Sequence, residues 1–124
     1  MLFKSLKEKS NTSNPTEILA YLKEQSIQDY NGYLLFNLDH KEETFFKNLS
    51  FLADESTWTK EDLDGQVLIA QTIDNDYLFA TESSVTIIPY SFNKQDSEIF
   101  DLPIWDFLIA FEENTLKTSI LALN

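Results

Sequence analysis

The side chains of this sequence that could carry out chemistry are almost all carboxylates. The 124 residues include 21 Asp and Glu, one histidine and no cysteine. Without cysteine there is no thiol nucleophile, thiolate metal site or disulfide, and a single histidine is too few for the usual zinc sites. His40 follows Asp39 at a predicted helix N-terminus, where the helix dipole disfavours an imidazolium. We therefore interpret His40 as a surface residue without a catalytic role.

The Asp74-x-Asp76 pair resembles the beginning of a calcium-binding loop, but the residues that follow do not fit one. Such a loop needs a central glycine and a terminal glutamate, and at those positions this sequence has Phe79 and Val85. A glycine-rich phosphate loop is also missing, and nothing favours a glycosidase pair of acids. We predict a protein that is not an enzyme and that uses no metal and no cofactor.

The net charge of −12 is unevenly distributed. Residues 1–23 contain four lysines and two acids, residues 24–124 contain five lysines and nineteen acids, and arginine is absent. Binding to nucleic acid or to anionic lipid generally requires clusters of Lys and Arg, so we expect neither as a partner. A negative surface attracts a basic protein and raises its association rate. The alternative is that the charge only maintains solubility.

Two groups of residues are the candidate partner-binding sites. The first is the densest acidic stretch, which surrounds a tryptophan in a predicted loop and comprises Asp54, Glu55, Trp58, Glu61, Asp62 and Asp64. The second lies on the turns between predicted strands and comprises Asp74, Asp76 and Glu82. An aromatic residue in or beside a polar loop, such as Trp58, Tyr90 or Phe92, either covers the core or anchors an interface. Both interpretations stay open for these three residues.

The fold that positions these loops is predicted to be α+β, with N-terminal helices, a central antiparallel β-meander and a C-terminal helix packed on the sheet. Short β-prone runs at 67–72, 77–81 and 85–90 are separated by brief polar turns, a pattern that predicts the meander. Residues 104–111 have apolar side chains at i, i+3, i+4 and i+7, which predicts the closing helix.

Weaker local signals predict the other elements. They are a helix that starts at Asn14-Pro15-Thr16-Glu17 and runs to about Gln28, a strand over Tyr33–Leu38, and a helix after the capping pair Asp39 and Glu42. We expect residues 1–13 to be poorly ordered or loosely helical. Residues 14–124 are expected to form a single domain, because a chain of this length supports one hydrophobic core.

The sequence has no predicted segment that would place it in a membrane. No apolar run approaches the roughly 18 residues that a membrane span needs, and residues 1–9 lack the apolar core of a signal peptide. A chain without cysteine has no disulfides, and this fits the cytosol, where disulfides are rare. A cytoplasmic location is therefore the expectation.

Residues 67–113 resemble the SUKH superfamily of bacterial immunity proteins. The resemblance consists of the strand at 67–72, an acidic turn leading into 76–80, the strand at 85–90 and the aromatic helix that begins Ile104-Trp105-Asp106-Phe107-Leu108. It implies an α+β fold, the absence of catalysis, and neutralisation of a toxin by direct binding.

Charge and resemblance together predict a non-catalytic immunity protein that binds and neutralises a basic bacterial toxin domain through an acidic surface. Two alternatives stay open. One is an adaptor or regulatory domain for an endogenous protein partner. The other is an acidic mimic of nucleic acid, which would need its carboxylates to be spaced like phosphates along one surface.

Overall fold

The chain forms a mixed structure of helices and one antiparallel sheet. A computed structural model describes residues 2–52 and 55–122, and within these ranges there are four α-helices and six strands. The helices are α1 (Leu2–Ser10), α2 (Pro15–Glu24), α3 (Lys41–Leu52) and α4 (Ile104–Glu112). The strands are β1 (Asp29–Tyr30), β2 (Leu34–Leu35), β3 (Val67–Thr72), β4 (Tyr77–Ala80), β5 (Val85–Ile88) and β6 (Glu98–Phe100). The predicted α+β class is confirmed.

The sheet is a meander in which the strands lie in sequence order and each is antiparallel to the next. β3 has the predicted bounds, whereas β4 ends one residue early because Thr81 closes the turn. The Thr81 N–H donates to the carbonyl of Ser84 (3.0 Å), and the two hydroxyls lie 2.8 Å apart. β6 was not predicted, because three residues become a strand only through pairing, here with β5.

Side chains of the central strands alternate between two layers of core. Leu78 and Ala80 point to one layer, and Phe79 between them points to the other. We call the first side the helical face, since α1, α2 and α4 cover it with Phe3, Ile18, Leu22, Phe107 and Leu108. We call the second side the groove face, after a groove between α3 and the loop at 55–65. This helix and this loop cover the face with Phe45, Leu49 and Leu63.

The N-terminal segment, expected to be poorly ordered or loosely helical, is helix α1, and its Phe3 is fully buried on the helical face. Helix α4 holds it in place. The carboxylate of Glu112 accepts the N–H groups of Leu2 (3.0 Å) and Phe3 (3.1 Å), which are otherwise unpaired at the start of a helix. Polar composition alone did not reveal this long-range cap.

Helix α2 begins as predicted and ends earlier than predicted. The Asn14 side chain accepts the Glu17 N–H at 3.1 Å, as an N-cap does. The helix stops at Glu24 instead of Gln28, because Ser26 takes a left-handed conformation (φ 59°) and the chain turns away. Serine is not a residue whose presence signals such a stop.

The segment between α2 and α3 also departs from the prediction. The strand expected over Tyr33–Leu38 is limited to β2, and the Phe36 N–H donates to the carbonyl of Gln28, in register with the pairing of β1 and β2. Helix α3 begins at Lys41, and the Glu42 carboxylate accepts the N–H of Leu68 (3.4 Å). Glu42 thus joins α3 to β3.

The C-terminal segment packs without forming a helix or strand over the residues that the structure describes. Leu116 and Leu121 are buried on the helical face. Thr118 and Ser119 donate to the carboxylate of Glu98 in β6. No helix among the described residues is long and apolar enough to cross a membrane.

Candidate functional site

The loop at 55–65, which contains most of the predicted partner-binding residues, is fastened to the loop at 91–97. Backbone contacts join the two loops as two short strands would. They are the Thr57–Asn93 bridge, the Trp58 N–H to Phe92 carbonyl bond (3.0 Å) and the Lys94 N–H to Ser56 carbonyl bond (2.8 Å). The acidic loop is therefore held in one conformation at its N-terminal half.

Phe92 lies where the two loops meet and has an uncommon backbone conformation. Its φ of 59° lies in the left-handed region that bulky residues rarely occupy. The conformation is stabilised by hydrogen bonds on both sides of the residue and by burial of the ring against Phe45 and Tyr77. Of the two interpretations left open for Phe92, covering the core is the one that its 7% exposure supports.

The second half of the loop is a turn stabilised by its own side chains. The Thr59 N–H donates to Asp62 Oδ2 (3.0 Å), and the Asp62 N–H donates to Thr59 Oγ1 (3.1 Å). This reciprocal pair has the logic of a helix-capping box. Gly65, with a φ of +82°, ends the turn in a conformation that favours glycine.

A cation lies between the two loops. Lys94 Nζ is 2.7 Å from Asp62 Oδ2 and 5.8 Å from the centre of the Trp58 ring. Trp58 Nε1 donates to Ser97 Oγ at 2.8 Å. The hydrogen bond from Lys94, followed by those from Thr59, lowers the pKa of Asp62 below its ordinary value. Asp62 is thus engaged within the protein, and we call this arrangement the Lys94 latch.

Beside the latch, a groove of about 470 Å³ separates the C-terminal half of α3 from the loop. Its lining is formed by Phe46, Leu49, Ser50, Glu55, Thr57, Trp58, Thr59, Lys60 and Glu61. Phe46 and Trp58 are half-buried, so part of each ring faces the groove. Lys60 Nζ lies 5.9 Å from the centre of the Phe46 ring.

Two further apolar residues are exposed at the end of α3, outside the groove lining. Phe51 is 76% exposed and Leu52 is 43% exposed, although they follow groove residues in the same helical turn. Helix α3 buries only Phe45 and Leu49 fully. Exposed apolar side chains of this size, when they form a contiguous patch, are typical of interaction sites.

Predicted acids border this groove. Glu55 and Glu61 line it, and Asp64 is exposed further along the loop. Within the described residues, the carboxylates of these three have no hydrogen-bond or ion-pair partner. Asp54 lies outside the described residues. Of the first predicted group, Glu55, Trp58 and Glu61 are therefore brought together at one groove, and Asp62 is an exposed residue that pairs with Lys94.

The second predicted group does not form one surface. Asp74 and Asp76 precede β4, whereas Glu82 follows it, so they lie at opposite ends of that strand. Asp74 and Glu82 are exposed, but Asp76 is only 6% exposed, and this corrects its prediction as a partner-binding residue.

Asp76 instead closes the turn between β3 and β4. Its Oδ2 accepts from Thr72 Oγ1 (3.0 Å), and its N–H donates to the same hydroxyl (3.1 Å). Burial raises the pKa of the Asp76 carboxyl, and the hydrogen bond from Thr72 opposes part of that shift. The other aromatic candidate, Tyr90, is 74% exposed on the loop after β5.

Sequence reasoning missed the groove wall formed by α3 and the cation of the latch. A signal for the latch was available, since Lys94 is the one lysine between Lys60 and Lys117 in the acid-rich part of the chain. An isolated cation among many acids is a candidate for an internal ion pair. No comparable signal indicated that Phe46 would remain half-exposed.

A second groove, of about 590 Å³, lies between α2 and the segment at 36–39. Its apolar lining includes Leu19, Ile27 and Phe36, and its charged lining residues are Lys23 and Asp39. None of the predicted site residues lies there. Across residues 2–52 and 55–122, no three His, Asp or Glu side chains converge as metal ligands would.

Comparison with known proteins gives no relative for this chain: no protein-family model, no curated protein and no solved structure matches it.

Proposed function

We propose that this chain is a non-catalytic immunity protein that binds a basic bacterial toxin domain and neutralises it. The observation that carries the proposal is the groove between α3 and the acidic loop, where Trp58 lies beside Glu55 and Glu61, whose carboxylates have no partner within residues 2–52 and 55–122. Aromatic anchors surrounded by polar residues are the usual composition of protein-binding sites.

The overall charge supports a basic partner. Within the described ranges, lysine forms ion pairs with acids at two places, Lys7–Asp106 and Lys94–Asp62. Most of the acids are therefore not neutralised internally, and their summed field attracts a cationic protein from a distance. Such a field increases the association rate more than it increases the affinity at equilibrium.

The rigidity of the loop supports binding without a large rearrangement. The Lys94 latch and the two loop–loop backbone bonds hold Trp58 in place. A surface that is ordered before binding loses less conformational entropy on association. The specific role as an immunity protein rests on the resemblance of residues 67–113 to the SUKH superfamily.

The test is to express this protein together with the product of the adjacent open reading frame in its native genome. The proposal expects that the neighbour alone arrests the growth of the host cell, that co-expression restores growth, and that the two proteins purify as a complex. A neighbour that is harmless and does not bind would contradict the immunity role. A harmless neighbour that nevertheless binds would favour an adaptor domain.

A mimic of nucleic acid receives less support. That function needs a row of exposed carboxylates, but the acids of the meander turns lie at opposite ends of β4 and Asp76 is buried.

A further inference from the structure

We infer that the groove beside Trp58 receives a large apolar side chain of the partner that is directly flanked by lysine or arginine. This inference rests on the proposed function and states which chemistry of the partner the groove recognises. The proposed occupant is a cationic segment that contains one large apolar side chain.

The apolar part of the inference comes from the groove lining. Phe46, Leu49 and Trp58 present carbon surface to the groove. A leucine, methionine or aromatic side chain placed between these rings would remove apolar surface of both partners from water. A purely polar cationic segment would leave the same surface wet.

The cationic part comes from the acids at the rim. Glu55 and Glu61 line the groove, and neither carboxylate has a partner among the described residues. A lysine or arginine beside the inserted side chain would reach them. A second copy of this chain is a poor occupant, because it would bring a like-charged surface to the same place; the net charge of each copy is −12.

Lys60 lies at the groove, where its charge would oppose a cationic partner. Its ammonium group lies 5.9 Å from the centre of the Phe46 ring, where it makes a cation–π contact at the groove. A cation of the partner would be repelled by Lys60 and would compete with it for this ring. Removal of the lysine charge is therefore expected to strengthen binding, a gain that general damage to the fold would not produce.

The test uses two short synthetic peptides as probes, each lysine-rich and identical except that one has a central leucine where the other has serine. We expect the leucine peptide to bind the whole protein about tenfold more tightly. In amide NMR spectra, the indole N–H signal of Trp58 should shift with the leucine peptide, whereas that of the buried Trp105 should not.

Paired variants separate the groove from the general field. The Glu55→Gln/Glu61→Gln double variant should weaken the leucine peptide about fivefold at low salt, with a smaller effect from Asp74→Asn/Glu82→Gln, which changes the net charge equally. Lys60→Gln should tighten binding about twofold. All four substituted acids are exposed, so both double variants should remain folded.

Each outcome decides the inference. Equal binding of the two peptides, or equal weakening by the two double variants, would overturn the groove as the recognition site while leaving a basic partner possible. Binding of neither peptide at low salt would overturn the inference as well. Failure of the co-expression test would instead remove the proposed function itself, and the two failures are therefore distinguishable.

Discussion

On the helical face, three helices and the C-terminal segment cover the sheet, and Phe3, Phe107 and Leu108 are completely buried. On the groove face, one helix and a loop cover the same sheet, and Phe51 lies 76% exposed at the end of that helix. Both faces are apolar and both have a groove: the one beside α2 is lined by Leu19, Ile27 and Phe36 with Lys23 and Asp39, and the one beside Trp58 has two acids, Glu55 and Glu61, whose carboxylates have no partner among the described residues. The difference teaches that the two layers are covered to different extents, and the proposed binding site lies on the less completely covered one.

Among the described residues, each face has one lysine–aspartate ion pair, and the two pairs connect different kinds of structure. Lys7–Asp106 joins α1 to α4, and Lys94–Asp62 joins two loops; each has an N–O distance of 2.7 Å. The first pair connects regular elements that already share a buried core. The second holds irregular chain, where fewer other contacts define the conformation.

The largest expected effect contrasts two phenylalanines. Phe107→Ala removes a fully buried ring from the helical face and should lower the free energy of unfolding by about 3–5 kcal/mol, because a cavity remains. Phe51→Ala on the groove face should change it by about 0.5 kcal/mol or less. Urea unfolding measures both. Similar losses for the two variants would mean that Phe51 is not the exposed residue described here.

A smaller effect distinguishes the two ion pairs. Lys94→Gln should lower the free energy of unfolding by about 1 kcal/mol or less, yet it should accelerate hydrogen exchange at the amide of Trp58. The matched Lys7→Gln variant should leave exchange at that amide unchanged. If both variants changed hydrogen exchange at the Trp58 amide equally, or neither did, the Lys94 latch would not be what keeps the loop ordered.

The smallest effect concerns pH and two acids with opposite shifts. The raised pKa of Asp76 means that protonation favours the folded state, so its contribution to stability is complete below the ordinary carboxyl pKa and is lost as the pH rises through the raised value. The lowered pKa of Asp62 means that its contribution is present above the ordinary value and is lost as the pH falls through the lowered one.

Two substitutions test these signs by urea unfolding between about pH 7 and about pH 4.5. The stability of Asp76→Asn relative to the unsubstituted protein should fall as the pH is lowered, because the unsubstituted protein gains from protonation of Asp76. Asp62→Asn should be destabilised throughout this range, since the Asp62 carboxylate remains ionised there. A difference for Asp76→Asn that does not vary with pH would contradict the account of its burial.

Much of the fold could be predicted because local signals and tertiary structure agree. The β-prone run that forms β3 is bounded by turn residues, and its observed ends match the predicted ones. The capping residue Asn14 fixes the start of α2 in the same way. Two features were missed for different reasons. β6 forms only through its pairing with β5, and the left-handed Ser26 that stops α2 has no characteristic sequence.

The candidate site was also predictable only in part, because it depends on contacts that form only on folding. The density of acids around Trp58 identified the loop, and Glu55 and Glu61 do line a groove with it. The sequence could not distinguish an acid without a partner from one that is paired or buried, and Asp62 and Asp76 differ from their neighbours only through contacts made on folding. The groove wall depends on how α3 packs, which its amphipathic pattern leaves open.

The central claim is that the acids of the groove face receive a basic protein. The most direct measurement is the association rate constant between this protein and the product of its adjacent gene, determined over a range of salt concentrations. The account predicts a rate that falls steeply with salt and that Glu55→Gln/Glu61→Gln reduces more than Asp74→Asn/Glu82→Gln. A rate that is independent of salt, or that both double variants reduce equally, would contradict it.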